Sequence, residues 1–318
     1  MKKVIFLILL LLMVLVNYSS EVAPQKLGFY IVNVGDFNSQ QKTFSSTFWL
    51  FQHSKESDYD ILSYYEMPNA VTTKVLNRVV IPEDKGYLIQ EKIYGIFRHN
   101  WDTREFPFDK QNLNIIFEAP YDTSSYQFEI DSKNSTYDKD IELSGWEIVG
   151  LSTLISDKTY QSNFGDERIS GSSTYSRFEI DVRIQRTEIT GFWKLTIASL
   201  VAVCLVFVTF FITFKNSAAL GIRTGVQAAA AFGTIVSMRS ASADLGASSN
   251  ITLIDSVHIL VLLYIVLGMV TSVICWKVSY CEDTINIEKA DELSRKIGIL
   301  GLIVFIVLIG ILVLFSIV

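Results

Sequence analysis

Hydrophobic positions along the chain follow two different periods. Up to residue 186, apolar and aromatic residues come in short runs at strand-like spacing: 27–34 (LGFYIVNV), 43–51 (TFSSTFWLF), 87–97 (YLIQEKIYGIF), 112–118 (NLNIIFE), 146–154 (WEIVGLSTL) and 172–186 (SSTYSRFEIDVRIQR). In the last run Tyr175, Phe178, Ile180, Val182 and Ile184 alternate with polar neighbours, with one slip at Ser176–Arg177. Turn formers separate the runs at Gly35-Asp36, Pro68-Asn69, Pro82-Glu83, Pro120 and Gly165 through Gly171. Six or more strands without a helical period predict an all-β sandwich over residues 21–190. Beyond residue 190 the pattern changes to four long apolar stretches, 192–214, 217–243, 254–276 and 297–318. Each is long enough to cross a hydrocarbon core as a helix, which makes 191–318 a four-helix transmembrane domain.

The second of these stretches differs from the others. SAALGIRTGVQAAAAFGTIVSMRSASA mixes small, hydroxyl and basic residues along its whole length. Lipid offers polar groups no hydrogen bonds, so they must face protein or a water-filled cavity. The segment is therefore expected to be shielded by the other three and to line water. Only Thr187–Gly191 separates the last strand from the first membrane helix, a junction short enough for the sandwich to pull on that helix.

The chain opens with Lys2 and Lys3, an apolar run from Val4 to Val16, and then Ser19 and Ser20. Residues 1–20 read as a signal peptide, with an N-terminal anchor as the other reading. With the sandwich outside, the inner connections hold Lys215, Lys277, Lys289, Arg295 and Lys296, whereas the outer 244–253 connection has no Lys or Arg. This matches the positive-inside tendency and predicts a multi-pass protein of the inner cell membrane.

Charge and composition narrow the partners. The 318 residues carry a net charge of −6, and residues 21–190 alone hold 17 Lys and Arg against 26 Asp and Glu, a formal −9. Such a surface argues against nucleic acid as a partner. The three cysteines, Cys204, Cys275 and Cys281, lie in or beside membrane segments, so the sandwich relies on its core without disulfides. His53, His99 and His258 are isolated, and no phosphate-cradling glycine loop is present, so neither an enzyme nor a metal or cofactor site is expected.

The most specific local signal is Glu105-Phe-Pro-Phe-Asp-Lys-Gln111 before the strand at 112–118. With Leu143-Ser-Gly-Trp-Glu-Ile148, Arg186 before the first membrane segment and Leu253-Ile254-Asp255 at the third, the chain resembles the pentameric ligand-gated ion channels, the Cys-loop receptor family. Leucine stands at position 113, where animal members carry the first loop cysteine, and the 277–296 linker is short, as in the bacterial branch. The first membrane segment lacks the family's usual proline, and the second is richer in alanine and glycine.

The resemblance implies a homopentamer around a central pore, in contact with membrane lipid, passing inorganic ions and opened by a small-molecule agonist or by protons. It places Arg223 at the inner mouth and implies a pore stripe of Gly225, Ala229, Phe232, Val236 and Arg239, with Phe232 and Val236 as hydrophobic rings. Helical spacing alone offers a more polar stripe, Arg223, Gln227, Ala230, Thr234 and Ser237. Rings of Arg223 or Arg239 would favour anions, whereas the acidic outer domain would concentrate cations, and the sequence leaves selectivity open. A ligand site by resemblance takes Tyr160, Phe164 and Tyr175 around the last hairpin, with Tyr65, and its aromatic faces suit a cationic amine. Coupling by resemblance falls to Phe106, Pro107, Phe108 and Asp109 pressing on the 244–253 connection, with Arg186 available to pair with Asp109. Asn38 and Ser39, with Asp36 nearby, occupy the stretch where the family has a further carboxylate. The reading from another class is a non-conducting, membrane-anchored β-sandwich sensor.

Overall fold

The computed structural model describes residues 24–54, 62, 64–84, 86–165, 171–246, 251–280 and 286–317. The expected signal peptide and Cys281 lie outside the described residues.

Among the described residues, nine strands precede four helices. The strands are β1 (Gln25–Asn38), β2 (Thr43–Ser54), β3 (Ala70–Glu83), β4 (Gly86–Arg98), β5 (Lys110–Asp122), β6 (Phe128–Ile130), β7 (Thr136–Tyr137), β8 (Trp146–Tyr160) and β9 (Ser173–Arg186). One sheet runs β3-β4-β2-β1-β6, with β7 also alongside β1, and the second runs β5-β9-β8. Alternation along β2, β4, β5 and β9 puts one set of side chains between the sheets. Phe29 and Phe48 of the first sheet meet Phe178 and Phe117 of the second at ring separations of 5.9 and 5.7 Å.

Two details depart from the sequence reading. The alternation in β9 runs unbroken from Ser176 to Ile184: Ser176 is buried on the core side, where its hydroxyl accepts from the Phe128 amide at 3.2 Å, and Tyr175 therefore lies on the outer face. The long edge strand β3 went unanticipated. Bulges between Ala70 and Thr72 and between Val75 and Asn77 reset its phase, and nearly all its side chains are exposed, so no two-residue period survives.

The helices are α1 (Thr190–Thr209), α2 (Ala219–Leu245), α3 (Leu253–Tyr280) and α4 (Ile287–Ile317), all long and apolar enough to cross a membrane. The architecture is that of a multi-pass membrane protein with a β-rich N-terminal region. Over the most apolar 18 residues of each helix, α2 has the lowest mean hydropathy of the four and α4 the highest. α2 packs on α1 and α3, whereas α4 packs on α3 with a lesser contact to α1. Gly268 permits the α2–α3 approach, because a Cβ there would stand 3.1 Å from Gln227 Nε2 and 2.9 Å from a Val206 methyl.

Helix ends moved relative to the hydropathy pattern. α1 stops at Thr209, five residues before the apolar run does, and Phe210, Phe211 and Ile212 close it with tight i→i−3 bonds. α4 begins ten residues before its apolar run, because 287–296 is amphipathic and buries Ala290 and Ser294.

Candidate functional site

The motif at 105–111 sits where the sandwich meets the helices, and strand pairing explains its geometry. Lys110 pairs with Gln185 and Trp146 with Arg186, so the end of β9 lies between Asp109 and the start of β8. The Arg186 amide donates to the Asp109 carbonyl at 3.1 Å. Its guanidinium donates from Nε to Asp109 Oδ1 at 2.6 Å and from Nη2 to Oδ2 at 3.2 Å. Asp109 is 1 % exposed, and the guanidinium also lies over the rings of Trp146 and Phe106, at 4.1 and 4.6 Å. A bidentate pair stacked on aromatic faces is directional and fixes the loop to the strand.

Gln111 extends this network. Its Nε2 donates to Asp109 Oδ2 at 3.0 Å and to the Asp102 carbonyl at 2.7 Å, while its Oε1 accepts from the Asp102 amide and faces His99 Nε2 at 3.2 Å. Burial holds the His99 imidazole below its ordinary pKa, against the opposing effect of the Gln111 bond. Asp36 is not a third member of the charge pair. Its carboxylate accepts from the Ser45 hydroxyl at 2.7 Å, within the β1–β2 hairpin.

The loop points two ways into the helices. Phe106 packs with Ala241 of α2, Ile254 of α3 and Phe192 and Leu195 of α1. Pro107 and Phe108 line an apolar cavity of about 280 Å³ with Phe192, Trp193, Val257 and Ile309. The Phe106–Pro107 peptide bond is cis. Next to the loop, the Leu253 amide at the start of α3 donates to the Arg104 carbonyl at 2.9 Å.

The β1–β2 turn grips the outer end of α2. Gln40 Nε2 donates to the Ala243 carbonyl at 2.9 Å and Ser39 Oγ to the Asp244 carbonyl at 3.2 Å. Gly246 follows the helix at φ 82°, and a Cβ there would stand 2.7 Å from the Ser39 carbonyl oxygen, so both conformation and space require glycine. Lys194 and Asp244 face a cavity of about 320 Å³ beneath the sandwich, walled by Phe37, Trp101, Phe106 and Trp146.

α2 separates its two candidate stripes by burial. The polar stripe is packed into the bundle. Gln227 Nε2 donates to Thr209 Oγ1 at 2.9 Å and to Ser272 Oγ at 3.1 Å, Ala230 and Thr234 are buried, and Ser237 Oγ donates to the Leu195 carbonyl at 3.1 Å. Gly225, Ala229, Phe232, Val236 and Arg239 are exposed on the single chain, Phe232 at 71 %.

Arg223, expected at an inner mouth, is 1 % exposed and lies inside the bundle. Its Nε donates to the Ile212 carbonyl at 3.1 Å, Nη2 donates to the same oxygen, and Nη1 donates to Ser294 Oγ at 2.9 Å. Its guanidinium stands 3.9 Å over the Phe214 ring. The reason is the end of α1: carbonyls left free by a stopped helix need donors and attract a cation. Ser294 in turn donates to the Phe210 carbonyl at 3.1 Å, and Asp291 accepts from Thr213 Oγ1 at 2.6 Å and the Phe214 amide at 3.0 Å.

In the sandwich, Tyr160, Phe164 and Tyr175 come together with ring centroids 5.2 to 6.1 Å apart. Behind them Glu118, almost fully buried, accepts from Tyr160 Oη at 2.9 Å and from Arg177 Nε at 2.6 Å. Burial and the Glu118 carboxylate raise the Tyr160 pKa, with Arg177 opposing. The ammonium of Lys158 lies 5.8 Å over the Tyr160 ring, so these faces already draw a cation. Tyr65 does not join the three rings. It packs against Phe117 at 5.7 Å, and its hydroxyl donates to Glu91 Oε2 at 3.4 Å, beside the Arg78–Glu91 ion pair. Burial, then the Glu91 charge, pushes its phenol far above the ordinary value.

Gln40, Glu118, Arg177 and Ser294 were not singled out from the sequence, and Ser39 was noted only for standing where the family has a carboxylate. Glu118 carried a faint signal as a carboxylate at the apolar end of its strand; the others look like ordinary surface residues. The chain matches no protein-family model and no curated protein.

Proposed function

We propose that the chain is a subunit of a homopentameric ligand-gated ion channel of the cell membrane, with the sandwich outside and α2 lining the pore. The observation that carries this reading is the one-sided packing of α2: its polar stripe is used up on α1 and α3, and its other face is left free. That face holds Arg239 among small residues and the hydrophobic Ile222, Phe232, Ile235 and Val236. Facing lipid, an arginine costs up to about 2.5–3.5 kcal/mol at a helix centre and less toward an end, where Arg239 stands, so the face is better turned to water or to copies of itself. Beyond Lys296, α4 exposes apolar residues, among them Leu300, Ile303, Val307, Leu314 and Phe315, and suits the lipid side. Rings of Phe232 and Val236 close the pore by excluding water. An amine or protons acting at Tyr160, Phe164 and Tyr175 shift the sandwich, and the junction through Phe106, Asp109 and Arg186 passes the shift to α2.

The test is whole-cell current in oocytes over a range of external pH and a panel of small amines. Evoked current is expected, with Phe232→Ala raising the leak. In a Cys204→Ala background, Ala229→Cys and Val236→Cys should react with an aqueous thiol reagent, while Gln227→Cys and Thr234→Cys stay protected. Chains that reach the surface yet pass no current, with or without Phe232→Ala, return the reading to an anchored sensor.

A further inference from the structure

We propose that Arg239 sets the charge preference of the pore and that the permeating ion is a small inorganic anion. The inference rests on the pore reading of α2 and deepens it.

α2 carries two cations, and the fold treats them oppositely. The Arg223 guanidinium is committed to the Ile212 carbonyl and Ser294 and is closed off from solvent by the bundle. It has no route to a passing ion. Arg239 is exposed, follows Val236 by three residues on the free face, and makes no hydrogen bond or ion pair among the described residues. The remaining members of that stripe, Gly225, Ala229, Phe232 and Val236, are neutral. A ring of Arg239 is therefore the net charge that an ion meets on this face.

Neighbouring charges at the outer end leave that ring uncompensated. Asp244 is five residues on from Arg239, about 140° around the helix, and it lines the cavity beneath the sandwich with Lys194. Asp255 is occupied locally, accepting from the Thr252 amide at 3.0 Å and the Thr252 hydroxyl at 2.9 Å. Arg104 is paired with Asp102, and Asp109 with Arg186. The acidic surface of the sandwich acts from outside the constriction, where physiological salt screens charge beyond about 8 Å. A like-charged ring in a narrow, low-dielectric passage acts at close range, and such focusing changes local ion concentration by about 10- to 1000-fold. The ring outweighs the vestibule.

Reversal potentials under asymmetric sodium chloride test this, measured on the constitutive current of Phe232→Ala so that no agonist is needed. The Arg239-bearing chain should prefer chloride by at least about tenfold. Arg239→Lys should keep that preference, Arg239→Gln should largely lose it, and Arg239→Glu should reverse it. A sodium-selective current from chains bearing Arg239 overturns the charge assignment while leaving the pore standing. A chloride preference that persists in Arg239→Glu overturns the role of this residue. Surface-expressed Phe232→Ala chains without any current overturn the pore and this inference together.

Discussion

The two ends of α2 are held in different ways. The inner end is held from within the helical bundle: Arg223 ties the Ile212 carbonyl, in the turn that follows α1, to α4 through Ser294, and Asp291 holds the same turn from the other side. The outer end is held by the sandwich, through two side-chain bonds from Ser39 and Gln40 to backbone carbonyls and through the Phe106 ring. The inner bonds are buried and involve charge, whereas the outer side-chain bonds are exposed and neutral. Buried charge-assisted bonds hold more firmly than exposed neutral ones. The helix is thus anchored at one end and gripped at the other by the domain proposed to sense the ligand.

The largest expected effect comes from removing the junction's own rigidity. Asp109→Ala leaves Arg186 unpaired against two aromatic rings, and breaking a buried pair from one side costs about 3–5 kcal/mol. Thermal unfolding of the detergent-solubilised protein should fall well below that of the parent, and a double-mutant cycle with Arg186→Ala should return a clear coupling energy. Simple additivity would mean that the pair does not organise the junction. Next in size is the inner anchor. Arg223→Met keeps most of the volume but orphans the Ile212 carbonyl, at about 1–3 kcal/mol. The Ser294 hydroxyl keeps its bond to the Phe210 carbonyl, so the loss falls on Ile212. The melt should drop while aqueous labelling at Val236→Cys stays as in the parent; altered labelling with an unchanged melt would place Arg223 on the water-facing side after all.

The smallest effect separates the two ends by pH. Burial lowers the folded pKa of His99 below its ordinary 6.5, so the unfolded chain binds the proton more readily. Its contribution to stability is therefore complete above about pH 6.5 and is lost as the pH falls through the lowered folded value. His99 reaches Asp109 through Gln111, so acid should loosen the outer grip and leave the inner anchor alone. Melts recorded from pH 7.5 to 5 should decline in the parent and decline less in His99→Phe. Equal slopes in the two would remove His99 from the account.

Local pattern carried much of the fold. Alternation in β2, β4, β5 and β9 follows from a two-residue period with one buried face, and four apolar stretches of spanning length follow from the thickness of a bilayer. The meeting of Asp109 with Arg186 was legible through the resemblance of the 105–111 motif and Arg186 to a known family, which put both residues at the junction. What lay beyond the sequence depended on neighbours distant in the chain. β3 was hidden because its bulges erased the period. Tyr65 turned inward because Phe117 and Glu91 stand on the core side of its loop, and Glu118 became the acid behind the aromatic cluster only when β8 and β9 folded over β5.

By itself the sequence determined a β-rich domain, four membrane-length helices and the odd composition of the second. It did not determine which side of that helix is free, because α2 offers two stripes at the same helical spacing and periodicity does not rank them. Tertiary packing ranks them: the unsatisfied carbonyls at the end of α1 and the hydroxyls of Thr209 and Ser272 draw Arg223 and Gln227 inward, and the opposite face is left over. Hydrogen-bonding groups out of reach of water must find partners, and those partners exist only once the helices are side by side.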